Sequence, residues 1–216
     1  MGGRGSSSRL VQAKRNLAGM NHTGGGSGID PISHKGKFKM SRLESNISGH
    51  QYEIGAIYSK KGKSEIVTTD KIRNEVSFGH VKGTLANKTL THNHPSHSGL
   101  SSQDIKMGTA NNLKQVRAVG RNPKTGATVH HIITRSGGSW KTADAKKIGK
   151  SYNKAYTSEY VKTGSHHKAV IAANKAAART VGGKYRTREI KDTWTSAKQK
   201  KRLKKVWKTP AQGVRL

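Results

Sequence analysis

The stretch THNHPSHSGLSSQD, residues Thr91 to Asp104, places His92 and His94 one residue apart, follows them with Pro95, and ends on a carboxylate. In a β-strand, residues i and i+2 project from the same face. Two imidazoles so placed can hold one divalent ion at about 2.0–2.1 Å each. Asp104 falls at the start of the next element, a short loop away, where its carboxylate can swing back as a third ligand. Three protein ligands with a fourth position open is the arrangement of a catalytic zinc site. The same run can also be read as surface histidines, because the chain contains 11 His. His130-His131 and His166-His167 are adjacent pairs, and neighbours on a strand face opposite ways, so they make poorer chelates.

The elements that must position these groups follow from the local pattern. YEIGAIYS (Tyr52–Ser59) reads as a strand, KKGK as a turn, and SEIVTTD (Ser64–Asp70) as the hairpin partner. TLTHN (Thr89–Asn93) reads as a short buried strand that ends at the histidines. Ser101 or Ser102 can cap a helix from about Gln103 to Leu113. VRAVGR (Val116–Arg121) and TVHHIITR (Thr128–Arg135) form a hairpin across NPKTG. Strands interleaved with helices predict a mixed α/β (α+β) fold, a mixed sheet flanked by helices. Three regions are expected. Residues 1–39 form a flexible Gly/Ser/Lys-rich arm, with GGGSG at Gly24–Gly28 as linker and a short helix over Ser8–Ala18. Residues 40–140 form the metal-binding domain, and residues 141–216 form a basic, mostly helical C-terminal extension. KAVIAANKAAAR (Lys168–Arg179) has high helix propensity, and SAKQKKRLKKVWK (Ser196–Lys208) reads as a basic helix stopped by Pro210.

The chain has 216 residues, 42 Lys+Arg against 11 Asp+Glu, and a formal net charge of +31. Such an excess favours a polyanionic partner, most simply nucleic acid. From Lys141 onward there are 21 Lys/Arg against four acids, Asp144, Glu159, Glu189 and Asp192. Cations at that density neutralise phosphates without reading sequence. Tyr160, Tyr185, Trp194 and Trp207 could stack on bases, or the tryptophans could pin a helix to the domain. The absence of cysteine excludes disulfide scaffolds, thiolate metal sites and cysteine nucleophiles. No apolar h-region opens the chain and no apolar run approaches a bilayer span, so a soluble, cytoplasmic protein with no membrane partner is expected.

The run His92-x-His94-Pro95, followed by Gly99, Ser101 and Asp104, resembles the JAMM/MPN metalloprotease family, most closely its RadC-like branch. The tail Ser101-Ser-Gln-Asp104 is similar to that branch's Ser-x-x-Asp. Glu53 in YEIGAIYSKKG fits the glutamate that the family carries at the start of an early strand. The resemblance covers roughly Ser48 to Arg135. The spacing from His94 to Asp104 is one residue shorter than the family pattern. Gly99 is the residue that would absorb this through an unusual turn, and His97 stands as a reserve ligand.

The resemblance implies a cytidine-deaminase-like core in which His92, His94 and Asp104 hold Zn2+. Glu53 would then be general base and acid, and the reaction would be hydrolysis of a peptide or isopeptide bond in a protein or peptide substrate. Glu65 and Glu75 are the alternatives to Glu53. Ser101 either stabilises the oxyanion or simply caps its helix. The basic extension would bring this hydrolase to DNA, RNA or an acidic partner. The N-terminal GGRGSSS and the compact size resemble mobile-element or bacteriophage proteins. Two other readings stand beside it, a non-enzymatic nucleic-acid-binding protein on the same fold and a metal-dependent nuclease.

Overall fold

A computed structural model describes residues 4–20, 32–34, 38–70, 73, 75–78, 84–96, 98–122 and 125–191. The elements in chain order are α1 (Arg4–Met20), β1 (Ile32–His34), α2 (Met40–Ile47), β2 (Gly55–Tyr58), β3 (Ser64–Thr69), β4 (Thr89–Asn93), α3 (Ser102–Ala110), β5 (Gln115–Arg121), β6 (Thr128–Arg135), α4 (Ala145–Thr163), α5 (His166–Thr180) and β7 (Gly183–Ile190). The strands form one seven-stranded sheet in the order β1-β3-β2-β4-β5-β6-β7. Only β4 and β5 pair in parallel, and α3 connects them; the other neighbours are antiparallel. The fold is therefore mixed α/β. Among the described residues, no helix is long and apolar enough to cross a membrane.

Alternation along the strands divides the core in two. Ile57, Leu90, Val116, Ala118 and Ile133 face a layer made by α1, α3, α4 and α5. Ala56, Tyr58, Val67 and Val119 face the other way, onto Leu43 and Ile47 of α2. On α4, Ile148, Tyr152 and Tyr156 recur every four residues and make one buried stripe. On α5 the buried positions are mostly alanines, which let that helix lie close to the sheet and to α4. The Asn174 side chain of α5 donates to Leu100 O at 3.0 Å and ties the helix layer to the loop that leads into α3.

Three boundaries differ from the sequence reading, each for a packing reason. The expected arm over residues 1–39 contains α1, whose Ala13 and Leu17 are part of the main core and which packs on α4. Asn16 on α1 donates to Tyr156 Oη at 3.1 Å, and Arg9 donates to Val161 O at 3.3 Å. Residues 141–191 are not an extension. The helices α4 and α5 cover one face of the sheet, and β7 is its seventh strand. Burying each large apolar side chain there contributes roughly 1.5–3 kcal/mol, so the 40–140 segment alone would lack one wall of its core. The strand expected over Tyr52–Ser59 begins only at Gly55, which leaves Glu53 in the segment just before it. Gly24–Gly28, the Ser196–Lys208 helix, Trp194 and Trp207 lie outside the described residues. Tyr185 and Tyr160 face inward rather than offering free rings. Tyr185 Oη is 2.8 Å from His131 Nδ1, and Tyr160 stacks on Tyr156 with centroids 5.9 Å apart.

Candidate metal centre

The strand β4 delivers its histidines at the carboxyl end of the one parallel pair, beside the N-terminus of α3. His92 pairs with Gly55 on one side and Ala118 on the other, and the His94 N–H continues the ladder to Val119 O at 2.9 Å. Their alternation on the strand puts both rings on one face, with centroids 4.7 Å apart. His92 Nε2 and His94 Nε2 lie 2.8 Å from each other. His94 Nδ1 is 2.9 Å from Ser98 Oγ. The tautomer that donates from Nδ1 to that hydroxyl leaves the Nε2 lone pair facing His92. His92 Nδ1 is buried without a hydrogen-bond partner.

Asp104 is the third residue of α3, and its position is fixed by a capping box. Ser101 N and Ser101 Oγ donate to Asp104 Oδ2 at 2.7 and 2.8 Å, and Asp104 N donates back to Ser101 Oγ at 3.1 Å. The carboxylate then presents Oδ1 to His92 Nε2 at 3.2 Å and Oδ2 to His94 Nε2 at 3.4 Å. Burial works to raise the Asp104 pKa, but the charges and hydrogen bonds of His92 and His94 outweigh it and hold this carboxyl well below the usual range. Ser101 is thus the N-cap, and its hydroxyl proton is committed to Asp104. An oxyanion role would require that donor to leave the carboxylate.

Glu53 approaches from the segment before β2, with Oε1 3.7 Å from His94 Nε2. Glu53, His92 and His94 are buried, and their ligand atoms all lie within 4.8 Å of one another, so this group could hold a metal ion. Burial pushes the Glu53 pKa up most. His94 pulls it down, Asp104 and Glu75 push it up again, and the result is about 8. Asn93, the residue between the histidines, secures the Glu53 segment. Its Oδ1 accepts from Ile54 N at 2.7 Å, and its Nδ2 donates to Tyr52 O at 2.9 Å and to His50 O at 3.3 Å. Thr69 Oγ1 donates to Glu53 O at 2.6 Å.

The two imidazole nitrogens, 2.8 Å apart, approach the edge of about 3.3 Å that bonds of 2.0–2.1 Å give between ligand atoms. Asp104 faces them with a different oxygen each, Oδ1 to His92 and Oδ2 to His94, so a shared ion would take one of the two. Two imidazole nitrogens and a carboxylate brought so close gain from a shared cation. Of the other glutamates considered, Glu65 pairs with Lys88 at 2.7 Å. The charge of Glu75 adds to the forces that raise the Glu53 pKa. His97 lies outside the described residues.

Gly99 does not make the unusual turn expected of it, since it is not among the residues of positive φ. What it provides is close approach. A Cβ at Gly99 would sit 2.6 Å from Val170 Cγ1 and 2.7 Å from His131 Nδ1, so the bare backbone lets the 98–101 loop settle against α5 and β6. Gly55 acts in a similar way beside His92, where a Cβ would meet the Phe78 ring at 2.2 Å. Asn93 and Ser98 were not singled out as functional in the sequence. The available signal was their position, one flanked by the two histidines and the other four residues after His94.

No protein-family model matches this chain, and no curated protein or solved structure does either.

Proposed function

We propose that the chain is a zinc-dependent hydrolase of JAMM/RadC-like type that cleaves a peptide or isopeptide bond. The observation that carries this reading is the convergence of His92 Nε2, His94 Nε2 and the Asp104 carboxylate within 3.4 Å of one another, with Glu53 Oε1 3.7 Å from His94 Nε2. A nitrogen–nitrogen–oxygen donor set suits zinc. Zinc held there would lend Lewis acidity to a substrate carbonyl and to water, and would pull the Glu53 carboxyl toward its ionised form.

The chain's own residues supply the rest. Ser98 orients the His94 ring, and Ser101 orients Asp104. Glu53 takes a proton from water as the water oxygen bonds to the carbonyl carbon. As the carbon–nitrogen bond breaks, Glu53 returns that proton to the departing amine. One buried glutamate beside one three-ligand site suits amide hydrolysis better than phosphodiester cleavage.

The test is metal content followed by turnover. Purified wild type should contain about one zinc per chain, and His94→Ala and Asp104→Ala should contain little. Glu53→Gln should keep zinc and stop cleavage of a peptide and isopeptide panel. Wild type without zinc, or Glu53→Gln as active as wild type, would overturn the reading.

A further inference from the structure

The last strand of the sheet sorts its charges by face. In β7, Lys184, Arg186 and Arg188 alternate with Tyr185, Thr187 and Glu189. The register pairs Lys184 with Thr134, Arg186 with Ile132, and Arg188 with His130. All three cations therefore project on the face that carries α2, and all three are exposed. The helix α2 packs on β4 and β5. The acid of the strand, Glu189, projects on the opposite face, where Asn122 donates to it at 3.1 Å and Thr125 also donates to it. Among the described residues, none of the three cations takes part in an ion pair.

Charged side chains on an edge strand also discourage edge-to-edge pairing of two sheets. That need is met by charge of either sign, and it does not explain why the cations share one face while the acid is turned away and bonded. A row of cations at every second residue recurs about every 6.6–6.8 Å, comparable to the step between successive phosphates on one nucleic-acid strand. The stripe carries no aromatic ring, because Tyr185 turns to His131 on the other face. Proteins that hold single strands combine a basic groove with stacking rings. A basic row without rings suits the backbone of a duplex.

We propose that the Lys184–Arg186–Arg188 stripe on β7 is a docking site for the phosphate backbone of duplex nucleic acid. The contact is sequence-blind and stands three strands away from His92. It does not depend on the metal centre.

The experiment uses the full chain and a short labelled duplex, with one of its strands alone as comparison, and reads anisotropy from about 50 to 200 mM salt. The test variant is Lys184→Gln/Arg186→Gln/Arg188→Gln. The control, Lys147→Gln/Lys150→Gln/Lys154→Gln, removes the same charge from exposed positions of α4. Each lost duplex phosphate contact lowers the slope of log affinity against log salt by about 0.9, so the stripe variant should lose about 2.7 and the control well under half of that. Arg186→Lys/Arg188→Lys keeps the charge and should bind close to wild type, which guards against a folding defect in the glutamine variant. Equal losses in stripe and control would reduce the effect to diffuse charge and overturn the proposal. So would unchanged binding, an equal stripe-dependent loss on the single strand, or polyglutamate competing as well as the duplex.

Discussion

On β4, Thr91 points to one face of the sheet and His92 to the other, and on β6 His130 and His131 divide in the same way. Each face thus receives a buried polar cluster from the same strands, and the clusters differ in how their charges are met. Under α2, Glu44 is fully buried and closed in by donors. Its Oε1 accepts from Thr91 Oγ1 at 2.8 Å and Arg117 Nε at 2.5 Å, and its Oε2 accepts from Arg117 Nη2 at 2.8 Å, with His130 Nδ1 at 3.3 Å. On the opposite face, Glu53, Asp104 and two imidazoles converge, and among the described residues no arginine or lysine is paired with them. The difference shows in the two carboxyls. Burial raises both, but the hydrogen bonds from His130 and Arg117 and their charges bring Glu44 down to about 2, whereas Glu53 rises to about 8. Asp104 is held low by its two imidazoles, so the contrast rests on Glu53, whose burial outweighs the pull of His94.

Removing a donor from the closed cluster gives the largest expected effect. Arg117→Met leaves the Glu44 carboxylate buried with His130 and Thr91 alone, and should cost about 3–5 kcal/mol of stability. Glu44→Leu/Arg117→Met removes both charges and should cost less than the single change. In the metal-free protein His94→Ala should cost less, about 1–2 kcal/mol, since Asp104 keeps His92 and the two donors of Ser101. Urea denaturation reads all three. A His94→Ala loss as large as that of Arg117→Met would erase the contrast between the faces.

Acid gives a slightly smaller effect and sharpens the same contrast. The Glu44 pKa is lowered from 4.5 to about 2 in the fold. Between those values the unfolded chain takes up a proton that the folded one refuses. The stabilisation is therefore full above about pH 4.5 and is lost as the pH falls through about 2, at most about 3 kcal/mol in all. Stability measured across that range should fall more steeply for wild type than for Glu44→Leu/Arg117→Met, because both keep Asp104. Parallel curves would mean that the Glu44 carboxylate is not held in its charged form.

How far each element could be read from sequence depended on how much of its stability was local. The strand read over Thr89–Asn93 has the same limits in the structure, because two β-branched threonines flanking Leu90, set between a turn and the Pro95 region, favour an extended chain. The Ser101 cap was legible as one of two candidates because a capping box is local chemistry. The short helix α2 was not read as a helix. It has eight residues, its N-cap Lys39 makes no side-chain cap bond, and it is held by Leu43, Ile47 and the buried Glu44. The strand β7 was hidden by composition, since most of its side chains are exposed and its place in the sheet comes from pairing with β6. The helix read over Ser8–Ala18 lies inside α1 (Arg4–Met20), but the arm around it looked flexible because its sequence opens on glycine and serine, while the contacts that fix Ala13 and Leu17 come from distant residues. For the centre itself, residue types and spacing pointed to His92, His94 and Asp104, and the structure brings these side chains together with Glu53. The approach of Glu53 depends on three side-chain bonds from Asn93, whose partners lie about 40 residues earlier and leave no mark on local spacing.

Asn93 therefore offers the most discriminating change. Asn93→Ala removes the acceptor for the buried Ile54 N–H and the donors to Tyr52 O and His50 O, and should cost about 1–3 kcal/mol. The histidines keep their places through the β4 ladder, so under the proposed hydrolase reading zinc content should stay near the wild-type level. The Glu53 segment loses its staple, and a displacement of about 1 Å at a catalytic group can cost on the order of 10²-fold in rate. Peptide cleavage should then fall far more than zinc occupancy. Asn93→Asp retains an acceptor for Ile54 N–H but no donor, and should fall between alanine and wild type. If zinc and cleavage are lost in proportion, Asn93 serves the histidines rather than Glu53, and the acceptor-rich face is one rigid unit instead of two parts joined by a single amide.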